Sequence, residues 1–422
     1  MKIEQPFLRI KQNKPAPELS GPMDEALVQS LARVGWPEID LTGLTVGLTA
    51  GSRGIDRLPE ILAAVVRQVK TKGGRPVIIP AMGTHGGDTA QRQIDLLASL
   101  GVTEGAVGCP INSQVETELL GTTREGVPVY ASRAALEVDR LLIINRVKPH
   151  TDFSGDIESG LAKMMTIGLG AHRGAEAAHL YARQLGHELV FTSVAEVLRN
   201  KLPVLLGLGI YENWKGRLAG LEAFRPEDMP DGEKRLLAKV KEMTIKLPFE
   251  DLDVLVVGET GKNISGTGMD TKVVGRIMVK GQKEPEKPRI GCLAVLNLTE
   301  ESHGNGCGLG LAEITTQKVL DRVDFLTTAD NCISSMAPEQ GRLPCVVPND
   351  YRAITAAIAT LGPVPVEQVR IAYIRNTLRL ETLAVGQALR PMIERNPGLS
   401  IIGPPEYLQF DEHGELLSFR DF

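Results

Sequence analysis

The sequence predicts an α/β protein: two α/β domains with mainly parallel sheets and an active site in the cleft between them. Three observations predict it. Short β-branched or leucine-rich runs alternate with longer segments of helical periodicity, which is the rhythm of strands joined by crossover helices. A polar, proline-containing stretch that becomes a charged helix, EAFRPEDMPDGEKRLLAKVKEMTIKLPFED (222–251), interrupts that rhythm, which then restarts. The length, 422 residues, suits two or three domains.

Taken in order, LTVGLTAG (44–51) is a strand ending in glycine, and LPEILAAVVRQVKTKG (58–73) is a helix with apolar residues three and four apart. PVIIPAM (76–82) is the second strand and AQRQIDLLASLG (90–101) the second helix. LLIINRV (141–147) and PVLLGLGIY (203–211) are further buried-type strands. After the interruption come DVLVVGE (253–259), GCLAVLNL (291–298), VDFLTTA (323–329) and VRIAYIR (369–375), all expected as strands. The domains are therefore expected at 1–248 and 249–422. The closing EYLQFDEHGELLSFRDF reads as a hairpin turning at His413-Gly414.

Composition narrows the function. With 42% hydrophobic and 23% charged residues the chain is an ordinary globular one. A net charge of −5 argues against a nucleic-acid binder. No window approaches the roughly 18 apolar residues of a membrane span, and MKIEQPFLRIKQNK is no signal peptide. Five scattered cysteines without a CxxC suit a reduced, cytoplasmic protein. Aromatics are only 4%, so a polar, backbone-lined site is expected rather than an aromatic cage.

Ligands of open α/β sheets bind beyond the carboxyl ends of the strands, so residues directly after strands are the informative ones. TAGSRGI (49–55) follows the first strand. Gly51 and Ser52 permit a sharp turn with N–H groups offered to an anion, and Arg53 is either a carboxylate clamp or the solvated arginine of a plain turn. AMGTHGGD (81–88) places His85 among glycines at a strand end, a position typical of acid/base groups. The stretch VKPHTDFSGDIESGLAKMMTIGLGAHRGAEAAH (147–179) holds His150, Lys163, His172 and His179. Lys163, flanked by apolar residues in an expected short helix, is a solvated lysine or, if buried, a nucleophile or attachment point. His172 and His179 are seven apart, about 10 Å along a helix at ~1.5 Å per residue, too far to share one metal. His187 is expected to be an exposed helix residue. In the second half, GETGKNISGTGMDTKVVGR (258–276) fails the P-loop spacing but offers Lys262, Asn263, Asp270 and Lys272. His303 is expected to be exposed.

Together, GTHGG with His85, the Pro-His of His150, Lys163 and His179 resemble the nickel-pincer-nucleotide lactate racemase family. The most specific elements are the sixteen-residue step from Lys163 to His179 and the arginine loop about 30 residues before His85. The resemblance extends over most of the chain. It implies that Lys163 carries a covalently tethered nickel-pincer nucleotide, a pyridinium that holds nickel through two sulfurs and one carbon. It implies His179 as the fourth nickel ligand, Gly51 and Ser52 beside the cofactor, and His85 and His150 as paired acid/base groups. Arg53 would bind the substrate carboxylate, and Lys262, Asn263 or Lys272 would reach substrate from the second domain. Proteins that build the cofactor are the implied partners. The run SGDIESGLAK is longer and more acidic than the family pattern, and glycine follows Gly-Thr-His where the family has arginine. These departures point to a 2-hydroxyacid other than lactate, and Arg146 and Lys148 suit a longer, polar one.

The chemistry explains the residue types. The C2–H of a 2-hydroxyacid is a very weak acid beside its carboxylate, whereas hydride removal coupled to hydroxyl deprotonation is feasible on an electrophilic cofactor. Two histidines, one for each configuration, handle the hydroxyl proton near neutral pH. Sulfur donors plus an imidazole suit nickel. An NAD-dependent 2-hydroxyacid dehydrogenase is the first rival, but no GxGxxG follows a strand, and GLGAHRG (168–174) has the wrong spacing. The second rival, a non-catalytic acid-binding α/β protein, has no need of both His85 and His150.

Overall fold

The structure is a computed structural model, and it describes residues 3–85, 89–151 and 153–419. The chain forms two units: Ala16–His150 with Ser154–Thr244, and Met1–Pro15 with Thr151–Phe153 and Ile245–Phe422. The start of the chain thus departs from the 1–248 expected for the N-terminal domain. The strand Pro6–Gln12 pairs with Thr382–Gly386 on one side and Leu399–Ile401 on the other, and it buries Phe7, Leu8 and Ile10 there.

The unit holding residues 16–150 is built on a five-stranded sheet. Its order is Arg75–Pro80, Thr45–Ala50, Arg140–Arg146, Val204–Glu212, Leu218–Phe224. The first four run parallel and the last is antiparallel. Strand formation follows from burial on both faces: Val46, Leu48, Leu142, Leu208 and Ile210 are buried in one core, and the alternate residues Leu141 and Ile143 are buried on the other face. Against it lies the helix Leu58–Thr71, with Pro59 in its first turn and Leu58, Ile61, Leu62, Val65 and Val69 buried. On the opposite face, Gly207 lets Leu161 and Met229 close onto the sheet, since a Cβ there would lie 2.8 Å from Leu161 Cδ1. From Thr45–Ala50 the chain goes first to one neighbour and later to the other. The switch in direction therefore falls between Thr45–Ala50 and Arg140–Arg146, which is where such sheets open a crevice at their carboxyl ends.

The second unit carries a mixed sheet. Five parallel strands run in the order Cys345–Val347, Ile314–Thr316, Arg289–Val295, Asp251–Val257, Ile371–Ile374, and continue into antiparallel Thr382–Gly386, Pro6–Gln12 and Leu399–Ile401. Its core includes Phe7, Val254, Val256, Ala294, Ile354, Ile371 and Tyr373.

One expected strand is a helix. In 323–329 the side chain of Asp324 accepts from the Thr327 N–H and starts a helix over Phe325–Ser334, whose Thr328 and Cys332 are buried. The apolar run suggested a strand, but the aspartate cap decides otherwise. The closing segment forms a turn with a single Phe410–Leu416 bridge; its last residues, 420–422, lie outside those described. Among the described residues no helix is long and apolar enough to cross a membrane.

Candidate active site

The loops beyond the three adjacent strands Arg75–Pro80, Thr45–Ala50 and Arg140–Arg146 supply His85, Ser52 with Arg53, and His150. His85 is held at both ring nitrogens: Nδ1 lies 2.7 Å from Ser52 Oγ and Nε2 lies 3.3 Å from Arg53 Nη2. A guanidinium only donates, so Nε2 accepts, and the ring proton sits on Nδ1 and is given to Ser52 Oγ. Ser52, expected beside the cofactor, is thus the group that orients His85. Gly51 is backed by the lysine segment, since a Cβ on it would lie 3.2 Å from Met164 Cε.

Lys163 ends a short α-helical turn, Leu161–Lys163, and the next six residues, Met164–Leu169, form a π-helix. The expected helix is therefore present but irregular, and π segments concentrate at functional sites. After it, Ala171 takes a positive φ of 47° and the α-helix Ala171–Leu185 begins. This break matters. On one continuous α-helix sixteen residues would separate Lys163 from His179 by about 24 Å and about 160° around the axis. The break instead lets both approach one set of rings: Lys163 Nζ stands over Phe191, Phe191 packs on His187, and His187 packs on His179. The glycines of GLGAHRG serve this packing: a Cβ on Gly170 would meet Thr166 O at 2.3 Å. Lys163 Nζ stands 6.0 Å over the Phe191 ring. Beneath, the backbone N–H of Ala162 donates to the buried Glu233 Oε2 at 2.9 Å.

Three more imidazoles complete the cluster. His187 stacks on His150 with ring centroids 6.3 Å apart, and stands edge-on to His179 at 6.2 Å. It also packs against Phe191 at 5.9 Å. His187 was expected to be an exposed helix residue; it is instead half-buried at the first position of the helix His187–Lys201. Only its place at a helix start, after Gly186, could have signalled this. Burial, then His179 and Lys163, push its pKa down to about 4. Burial lowers His85 as well, followed by Arg53, Lys163 and His179, and burial then Lys163 lowers His179. His85 and His179 both keep solvent-facing edges, so water screens part of this and the direction is what matters. All three therefore favour the neutral ring, able to accept a proton or ligate a metal.

The other expected residues fall as follows. Arg146 pairs with Glu212, both largely buried, so its charge is already committed. His172 and His303 are exposed. Lys262, Asn263 and Lys272 belong to the second unit. There Lys262 Nζ donates to Asn331 Oδ1 at 2.7 Å, Asn263 Oδ1 accepts from Thr299 Oγ1 at 2.7 Å, and Lys272 lies in the short helix Thr271–Val274. Gly86 and Gly87 of the GTHGG motif lie outside the described residues.

Fold and site define an α/β protein with a lysine–histidine centre at the switch point of a parallel sheet. Residues 52–188 match the family described as Lactate racemase N-terminal domain. That span runs from Ser52 through Arg53, His85, His150, Lys163 and His179 to His187 and Glu188. Among solved structures the chain is similar to the lactate racemase apoprotein from Thermoanaerobacterium thermosaccharolyticum. The identity is 12% over 89% of this chain and 99% of that one, with a TM-score of 0.51, a likeness of fold. No curated protein sequence matches. The likeness to lactate racemase is thus one of residues 52–188 to its N-terminal domain and of the whole chain to its fold.

Proposed function

We propose that the protein is a racemase or epimerase that inverts C2 of a 2-hydroxyacid with a nickel-pincer nucleotide. The observation that carries this is the arrangement around His85. Its base nitrogen faces a guanidinium, its other nitrogen is fixed by Ser52, and Lys163, His179 and His150 share the same cluster.

The donors suit the cofactor. An amine on Lys163 offers a tether and His179 an imidazole ligand, linked through the packed rings of Phe191 and His187. When bound, the group supplies an electrophilic ring that takes up and returns a hydride. The chain's residues do the rest. Arg53 turns its guanidinium to the substrate carboxylate, which frees His85 Nε2 to take the hydroxyl proton while Ser52 holds Nδ1–H. Loss of the C2 hydride leaves a 2-ketoacid whose carbonyl re-orients. His150 serves the hydroxyl proton of the opposite configuration.

The test uses protein produced with the cofactor-building proteins. Intact mass and metal analysis should find an adduct on Lys163 and about one nickel per chain. C2-deuterated lactate, malate, glycerate and gluconate should include one acid that loses configurational purity. His85→Ala or His150→Ala should abolish that loss while the adduct remains. Bare lysine in active protein would sink the reading.

A further inference from the structure

The turn leading from His150 to the lysine segment is organised by two acids. Glu158 is fully buried, at 0% side-chain exposure. Its Oε2 accepts from the His150 backbone N–H at 2.5 Å. Its Oε1 accepts from the Gly155 N–H at 3.1 Å and pairs with Lys241 Nζ at 2.6 Å. Lys241 Nζ also donates to Gly155 O at 2.6 Å. From the other side Glu188, next to His187, accepts from the N–H groups of Asp156 and Ile157 at 3.0 and 3.2 Å. The two acids close on Gly155, where a Cβ would lie 2.3 Å from Glu188 Oε2.

A buried carboxylate is a poor way to stabilise a turn, because an apolar side chain avoids the desolvation cost altogether. What the acid adds is direction. Charge-assisted hydrogen bonds are short and strongly oriented, and one of them ends on the amide of His150 itself. Lys241, from the helix Met229–Met243, supplies the paired opposite charge that a buried carboxylate needs.

We infer that Glu158, with Lys241 as its counter-ion, is a positioning residue for His150. It holds the backbone from which that imidazole projects, and so governs one of the two substrate configurations. The inference rests on the function proposed above. It also turns the acidic insertion of SGDIESGLAK from a purely substrate-facing feature into a structural support of the base.

The experiment compares wild type, Glu158→Gln and Lys241→Met. Gln places an NH2 where one of the two accepting oxygens stands, so at least one N–H loses its acceptor. In cofactor-loaded enzyme, single-turnover cofactor reduction is followed from each configuration of the acid that wild type racemises. Glu158→Gln should slow reduction from one configuration by about tenfold or more and leave the mirror configuration within about twofold. Lys241→Met should show the same asymmetry, and it carries the test if Glu158→Gln does not fold. Equal slowing of both configurations, or of neither, overturns the inference. In cofactor-free protein, hydrogen exchange of the His150 amide should quicken about tenfold or more in Glu158→Gln. If wild type racemises none of the acids, the proposed function fails. The exchange measurement then still decides whether Glu158 holds His150, and unchanged protection overturns it.

Discussion

Glu233 shows how a single side chain supports the site from below. It is 2% exposed and reaches from the helix Met229–Met243 to the start of the lysine segment. Its Oε2 caps the Ala162 N–H, while its Oε1 has no hydrogen-bond partner among the described residues. Burial raises its carboxyl to about 7 from an ordinary value of 4.5. A carboxyl raised on folding contributes stability that is present below 4.5 and lost as pH climbs through 7. Glu233→Gln keeps the cap without the charge. The stability of wild type relative to this variant, from denaturant melts at pH 4 and pH 8.5, should fall by up to about 3 kcal/mol on raising the pH. A pH-independent difference would mean that the Glu233 carboxyl titrates alike in the folded and unfolded chain. At this scale most residues of the candidate site were legible in the sequence. Strand-end position marked His85 and His150, and the lysine–histidine spacing carried the resemblance. His187, Glu158 and Glu233 were not legible, because their partners lie far away in the chain, Ala162 71 residues from Glu233 and Lys241 further still from Glu158.

At the scale of the element, the segment 161–185 is the decisive one. The sequence predicts a helix closed by glycine, and the structure has an α-turn, a π segment, a positive-φ alanine and a second α-helix. Periodicity could not show this, because the crowded apolar residues Leu161, Ala162, Met164, Met165, Ile167 and Leu169 satisfy several helical periods at once. Gly170→Ala places a methyl 2.3 Å from the Thr166 carbonyl oxygen, a backbone atom that cannot simply step aside. The variant should lose about 1–3 kcal/mol, as overpacked sites do. Mass spectrometry should also find a smaller fraction of Lys163 carrying the adduct, because the helix bearing His179 must turn away. Full loading at unchanged stability would show that the π segment tolerates an ordinary helix. The 323–329 segment fails for a different reason: a β-rich run and a capped helix compete locally, and Asp324 settles the matter with one hydrogen bond.

At the scale of the whole molecule, the first residues of the chain belong to the sheet of the C-terminal residues. Phe7 and Tyr373 both pack near Phe419, and Phe7 sits opposite Gly386 in the ladder. Removing residues 1–15 deletes an interior strand and exposes the edges of Thr382–Gly386 and Leu399–Ile401. Losing the buried Phe7, Leu8 and Ile10 forfeits roughly 5–9 kcal/mol of burial. Hydrogen exchange on the chain from residue 16 onward should quicken in 382–386 and 399–401 and stay unchanged in 45–50 and 140–146. Faster exchange in the latter strands instead would place the N-terminal strand's stabilising role elsewhere.

The sequence by itself determined the α/β class, the main parallel strands and the loops that supply the candidate site. Each of these follows from short-range pattern: burial of consecutive residues, helical spacing, and polar residues directly after strands. Tertiary structure decided which of those loops meet. The strand order puts the Ser52–Arg53 loop beside the His85 loop on one side and His150 on the other, and a break in a helix leaves Lys163 over Phe191 and His179 against His187, two rings that pack on each other. It also recruited His187 and the two buried acids. No local pattern encodes such meetings, because they depend on desolvation and hydrogen bonds between segments far apart in the chain, which exist only once the sheet has formed.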